Sequence, residues 1–521
     1  MILSTLTNLL ITAIKVPNSN PVIKPEDKLN FKIPTPDSMF CCMIFGRYII
    51  FINEKKANIG AKMYDLVFKQ GNIFFNGNFV LADLAINGEK IAAIGENLIG
   101  KTEISAQNKW VLPGAIDVHT HFSLPFAGRV SADDFYTGSV AGATGGVTTF
   151  IDFTAQNEGE GVLDSLKRRK AEAKNKAAID YSFHACISNY NDAVIKQLPK
   201  LASEGVTSLK IFTAYRHMMQ TDDKLAEIME KCKELNILVT VHAENGALIE
   251  ALTEKALKQN NFGIKALSVT RPTFSEVEAI GRVADFARHT GCNAYIVHVS
   301  SGEGALRLTA ERQAGAPING ETCPQYMYLD NSYFEKENGH YYACCPPIRP
   351  KNAQKHLYET LNNCGLAVVA TDHCPFNKAD KDTWEGNITK LPMGLPGIET
   401  LPMLVLNACR NNILSAEAAI KSITENPAKI FGLYPEKGCL QIGSNADIML
   451  YDPDARQIIK QKNLHMNNDY SVYEGLKVKG KNLLTMLRGQ IIYDAEHGFK
   501  GKAGQGRFIK RRATDGSFFG K

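Results

Sequence analysis

The sequence predicts an α/β protein: a (β/α)8 TIM-like barrel with a small β-sandwich domain formed from both chain ends. Three observations carry this expectation. From about Pro113 to Leu433, short apolar strands alternate with helical stretches, as in a barrel of parallel strands. Polar residues recur at or just past the C-terminal ends of those strands, where barrel enzymes build their sites. Short alternating strands with turn punctuation lie both before and after this middle region. A doubly wound sheet is the weaker alternative, because no Gly-x-Gly-x-x-Gly follows the first strand.

A chain of 521 residues suits a large barrel with an appended domain. With 44% hydrophobic and 22% charged residues, the composition is that of an ordinary soluble globular protein. The formal net charge of +5 is spread along the chain apart from Lys510-Arg511-Arg512, which reads as a solvated terminus. Nothing in this balance points to nucleic acid or to a membrane as a partner. None of the twelve cysteines forms a Cys-x-x-Cys pair, and the adjacent pairs Cys41-Cys42 and Cys344-Cys345 do not have zinc-knuckle spacing. Many lie in apolar contexts, as buried free thiols do, which reads as a reducing, cytoplasmic compartment.

Residues 1–62 look foreign to the rest of the chain. Ile2 to Ile14 is apolar but lacks a basic start, and Met39 to Ile52 is interrupted by Arg47 and too short to span a bilayer. The functional chain is read as beginning near Met63, with the extension disordered or an upstream-translation artefact. Residues 63–112 form the first part of the β-sandwich, with Asp65-Leu66-Val67-Phe68 as a strand. Asn76-Gly77 is a hairpin signal, and Asn87-Gly88 precedes the strand Lys90 to Ile94. Residues 113–435 form the barrel. Its strand candidates are Thr148–Phe153, Tyr181–Ala185, Ser208–Phe212, Ile237–Val241, Ala294–Val297 and Ala367–Ala370. Between them lie helical stretches such as Leu163 to Ala178 and Thr273 to Thr290, the latter with Ser275 and Glu278 as a capping box. Residues 436–498 complete the sandwich, and residues 499–521 form a C-terminal tail.

The chemistry begins at Gly114-Ala115-Ile116-Asp117-Val118-His119-Thr120-His121, which succeeds the apolar approach Trp110-Val111-Leu112. Side chains alternate along a strand, so His119 and His121 share a face about 7 Å apart and can reach one metal ion. His242, His298 and Asp372 each follow a later strand, and Lys210 sits inside one. A single histidine at a strand end is most often a hydrogen-bonded core residue. An ammonium inside an apolar strand is costly without a partner. Four histidines, a carboxylate and that lysine at equivalent strand ends together read as a metal site.

At these residues the sequence resembles the cyclic amidohydrolases, most closely dihydropyrimidinase and the D-hydantoinases. The matching segments are Asp117-Val118-His119-Thr120-His121, Ser208 to Tyr215, Val241-His242-Ala243-Glu244-Asn245-Gly246, Val297-His298-Val299-Ser300-Ser301, Glu321 to Tyr326, Thr371 to Phe376 and Asp469 to Gly475. The resemblance runs from about Met63 to about Arg507. It implies metal-dependent hydrolysis of the cyclic amide bond of dihydropyrimidines or 5-substituted hydantoins, giving N-carbamoyl amino acids. It also implies two zinc ions per subunit, with manganese able to serve the same ligands. His119, His121 and Asp372 would hold one ion and His242 and His298 the other, with Lys210 bridging them as N6-carboxylysine. Together the ions would activate a water for attack on the ring amide.

In that scheme Asp372 also moves the proton to the leaving nitrogen, and Tyr215 donates to the oxyanion. Asp117 and His373 orient neighbours. Two positions depart from the family pattern: Cys345 stands where serine is usual and Pro396 where asparagine is usual, both in segments whose main chain grips substrate. Phe122, Leu124, Phe126 and Met218 are expected to make an apolar wall for the ring substituent. Relatives of this kind imply a homotetramer.

Dihydroorotase and allantoinase are the enzymatic alternatives. The first is disfavoured because Phe122-Ser123-Leu124-Pro125 supplies no arginine for a substrate carboxylate. A non-catalytic scaffold of the collapsin-response-mediator kind is disfavoured because all six ligand positions are filled.

Overall fold

Eight parallel strands follow one another around a barrel in chain order: Ala115–Thr120, Val147–Thr154, Asp180–Cys186, Ser208–Phe212, Leu238–His242, Ala294–Ile296, Ile318–Thr322 and Val368–Val369. The ring closes where Thr120 bridges His373, with the His121 amide donating to the His373 carbonyl at 2.8 Å and the His373 amide to His119 at 3.2 Å. Strands enclosed on both faces need continuous apolar sequence, and Val147–Thr154 is buried at every position. The seventh strand escaped the sequence reading because Asn319-Gly320-Glu321 interrupts its apolar run. Gly320 is needed there, since a Cβ would sit 2.7 Å from the Ile296 carbonyl.

This computed structural model describes residues 62–126 and 128–519. It also describes the strands Ile11–Lys15, Phe40–Phe45 and Tyr48–Asn53, without their side chains. The chain divides into two compact units, Met1–Met63 and Tyr64–Lys521. In the first, the three short strands pair antiparallel with Tyr48–Asn53 in the middle. The rest of that unit, and with it most of the expectation for residues 1–62, lies outside the described residues.

Strands from both sides of the barrel segment join in one nine-stranded mixed sheet. Trp110–Pro113 is its seam, parallel to Met63–Phe75 and antiparallel to Ile448–Ile458. The run read as an approach to the first barrel strand is therefore a strand of this sheet. Asn76 and Gly77, at φ 49° and 85°, turn Met63–Phe75 into Asn78–Asn87, as the hairpin signal required. The sheet has its own core, built from Phe68, Leu84 and Val111 of one end and Ile448, Leu484 and Met486 of the other.

Helix Thr273–Thr290 stands where expected, but its capping box does not form. The helix starts two residues before Ser275, so the Ser275 hydroxyl donates to the Pro272 carbonyl at 2.8 Å. Glu278 instead accepts from Asn245 Nδ2 at 2.7 Å.

The tail is not a solvated terminus. Its main chain pairs with the barrel's own N-terminal end, from the Arg507 carbonyl accepting from Tyr181 (3.0 Å) to the Arg511 amide donating to Gly205 (2.9 Å). Arg511 is 4% exposed and donates to Ser182 Oγ at 2.9 Å, to Ser208 Oγ at 2.7 Å and to the Phe183 carbonyl. Burial pushes its guanidinium down to about 9. Phe519 belongs to the buried apolar cluster that also holds Ile116, Val118, Leu238 and Tyr295. The inward hydroxyls and apolar side chains at the base of the barrel give the tail its partners. Among the described residues, no helix is long and apolar enough to cross a membrane.

Candidate metal centre and active site

Strand alternation puts His119 and His121 on one face of the first strand, as expected. Asp372 Oδ1 lies 3.2 Å from His119 Nε2 and 3.1 Å from His121 Nε2. These three residues form a group whose ligand atoms all lie within 4.8 Å of one another. Facing them, His242 Nδ1 lies 2.9 Å from His298 Nε2, and the His119 and His298 ring centroids are 5.4 Å apart.

The outer ring nitrogens show why these atoms converge. His119 Nδ1 is held by Glu321 Oε1, and His242 Nε2 by Glu244 Oε2 at 2.8 Å. An acid beside one ring nitrogen leaves the other facing inward in both rings. Glu321 is braced in turn by the Tyr295 hydroxyl at 3.0 Å, and Glu244 by Arg271. Neither carboxylate was given a role from sequence, although both lie in the matched motifs. The signal was a buried acid two residues past His242 and another at the end of the seventh strand.

Burial takes His119 and His298 well below the usual imidazole value and lowers His242 as well. Burial pushes the Asp372 carboxyl up, but the neighbouring His119 and His121 outweigh it and hold it below its ordinary value. The lowered imidazoles of His119, His242 and His298 beside an ionised carboxylate are the kind of donor set a divalent cation takes. Lys210 points into the same space, and burial lowers its ammonium to about 8. Among the described residues it makes no ion pair, and its Nζ lies 5.4 Å and 5.1 Å from the ring centroids of Phe153 and Phe212.

Three of the site's residues also carry backbone strain. His298, Asp372 and Tyr215 have φ of 42°, 53° and 67°, a left-handed region that costs a non-glycine residue about 1–2 kcal/mol. Such strain persists only where the surrounding fold enforces it, and it clusters at functional sites.

All six expected ligands, with Tyr215 and Cys345, line one cavity of about 180 Å³. Tyr215 and Cys345 sit on the same cavity wall, and the Tyr215 ring centroid is 5.0 Å from that of His242. Burial raises the Tyr215 phenol well above its ordinary value, so it is a protonated donor. Leu124, Pro125, Phe153, Met218 and Met393 make the wall apolar. Phe122 does not belong to that wall. It is fully buried against Phe135 and Phe150, in the gap left by Gly138. The side chain of Phe126 lies outside the described residues. Gly394 lines the cavity, whereas Pro396, two residues on, is buried and does not.

Asp117 and His373 tie main chain rather than metal ligands' rings. Asp117 accepts from the His119 amide at 3.2 Å and from the Thr371 amide at 3.1 Å, joining the first strand to the turn that carries Asp372. His373 Nδ1 accepts from the Gly397 amide at 3.0 Å, and Nε2 faces Asp133 at 3.2 Å.

Comparison with known proteins agrees with this geometry. Residues 110–492 match the family model described as "Amidohydrolase family". The chain is 39% identical to a D-hydantoinase of Geobacillus stearothermophilus, over 85% of this chain and 96% of that one. It is 36% identical to a D-hydantoinase of Streptomyces coelicolor, over 85% and 97%. The crystal structure of a dihydropyrimidinase from Brevibacillus agri superposes with a TM-score of 0.84 at 37% identity, covering 86% of this chain and 99% of that one. The chain therefore belongs to the amidohydrolase family, in its hydantoinase/dihydropyrimidinase branch of enzymes that hydrolyse the carbon–nitrogen bond of cyclic amides.

Proposed function

We propose that this protein opens the ring of dihydropyrimidines or 5-substituted hydantoins to give N-carbamoyl amino acids. His119, His121 and Asp372 would hold one cation, His242 and His298 a second, and a carboxylated Lys210 would join them. The single observation that carries this reading is the convergence of Asp372 Oδ1, at 3.2 Å and 3.1 Å, on the inward nitrogens of His119 and His121, opposite the facing pair His242 and His298. Zinc suits imidazole and carboxylate ligands, and manganese accepts the same set. When bound, a metal pair would polarise the ring carbonyl and lower the pKa of water.

The chain's own groups supply the rest. Burial makes the free amine of Lys210 accessible near neutral pH, since its ammonium is lowered to about 8. That neutral amine can add carbon dioxide and release one proton, leaving a two-oxygen anion. Asp372, an ionised carboxylate at the cavity wall, accepts the proton of the attacking water and returns it to the leaving ring nitrogen. The protonated Tyr215 hydroxyl donates to the oxyanion. Main-chain groups beside Cys345 and Gly394 hold the ureide. Leu124, Met218 and Met393 favour an unsubstituted ring or one with an apolar substituent over a carboxylated one.

A homotetramer in the cytoplasm completes the proposal. It is supported by the family resemblance and by the buried free thiols Cys186, Cys232, Cys292 and Cys323. The test is a ring-opening assay across dihydrouracil, hydantoin, allantoin and dihydroorotate. Turnover of the first two is expected, and a clear preference for dihydroorotate would overturn the assignment.

A further inference from the structure

Arg271 lies just before helix Thr273–Thr290, outside the cavity, and only 11% of its side chain is exposed. Its Nη1 donates to Glu244 Oε2, on the carboxylate that holds His242. Its guanidinium carbon lies 5.0 Å from the centroid of the Tyr215 ring. The segment is pinned from behind. The Arg271 carbonyl accepts from Arg349 Nη1 at 2.6 Å, and Arg349 Nε donates to Ser300 Oγ at 2.9 Å, two residues past His298.

We propose that Arg271 is a positioning residue that acts through Tyr215 and Glu244, coupling the oxyanion donor to the orientation of His242. A guanidinium against an aromatic face is attracted by the ring's quadrupole. It also draws electron density from the phenol oxygen, which makes the hydroxyl a stronger hydrogen-bond donor toward a developing oxyanion. The contact braces Tyr215 in its φ 67° conformation, which an unsupported tyrosine would leave. On its other side, the same guanidinium fixes the Glu244 oxygen that receives the His242 N–H. A planar fork can serve both partners at once, and an ammonium cannot.

This inference rests on the oxyanion role proposed for Tyr215, and the test separates the two. Arg271→Met, Arg271→Lys, Tyr215→Phe and the two double variants are compared for kcat, KM and bound metal, with dihydrouracil and hydantoin as substrates. Arg271→Met is expected to lower kcat about tenfold or more with KM nearly unchanged, and Arg271→Lys to recover part of that loss. In the Tyr215→Phe background, the Arg271→Met loss should shrink several-fold. Equal losses in both backgrounds would overturn the proposal, as would a KM effect alone or a lysine variant no better than methionine. If Arg271→Met does not fold, the Arg271→Lys loss compared across the two backgrounds decides the same question. A Tyr215→Phe enzyme with undiminished kcat would instead sink the oxyanion role itself.

Discussion

His242 is held between a carboxylate and a second histidine: its Nε2 lies 2.8 Å from Glu244 Oε2 and its Nδ1 lies 2.9 Å from His298 Nε2. Glu244 is fully buried, so the contact with Nε2 fixes both the tautomer and the ring plane of His242. Glu244→Gln puts an amide where the carboxylate receives the imidazole N–H and the Arg271 guanidinium. The variant should bind metal about 10–100-fold more weakly while keeping its fold, as read by competition with a chelator. Unchanged affinity would mean that Glu244 does not orient the ring.

Lys381, in the short helix Lys378–Asp382, is fully buried and makes no ion pair among the described residues. Its Nζ donates to the Ala343 carbonyl at 3.0 Å, and burial lowers its ammonium to about 7 from the usual 10.5. Between those two values the unfolded chain binds a proton that the folded one does not, so stability rises with pH across that window. Below it, the full cost of a buried ammonium is present. Lys381→Met leaves the Ala343 carbonyl satisfied by the Gly394 amide at 3.0 Å. It should therefore raise the melting temperature, by the equivalent of about 1 kcal/mol or more at roughly pH 6 and by less at roughly pH 9. A pH-independent difference would contradict this.

Phe519 is 1% exposed, in the same apolar cluster as Ile116, Val118 and Leu238. Phe519→Ala should cost about 3–5 kcal/mol, and thermal denaturation should show it as a clear drop in midpoint. A midpoint unchanged from wild type would mean that the tail is not part of the barrel's core.

The site was more legible in the sequence than the supports around it. His119, His121, His242, His298 and Asp372 announced themselves because strand ends are where a barrel opens, and strand alternation assigns a face. Lys210 stood out because an ammonium inside Ser208–Phe212 demands an explanation. Glu321, Glu244 and Arg271 were not assigned, because their roles depend on which ring nitrogen they meet across distant strands. Phe122 was misplaced for a similar reason. The space that swallows it is made by Gly138, on a helix that sequence cannot orient. Arg511 looked like a surface charge in a basic run, because nothing nearby in the chain reveals the hydroxyls of Ser182 and Ser208. Periodicity finds residues that face a common centre. It does not find pairs made by long-range closure.

The most direct test measures metal content and ring-opening activity together on purified wild-type protein and on Lys210→Ala. The wild type should carry about two zinc or manganese ions per subunit, and the variant should lose bound metal and turnover together. A Lys210→Ala protein that keeps both would contradict the claim that Lys210 joins the two halves of the centre.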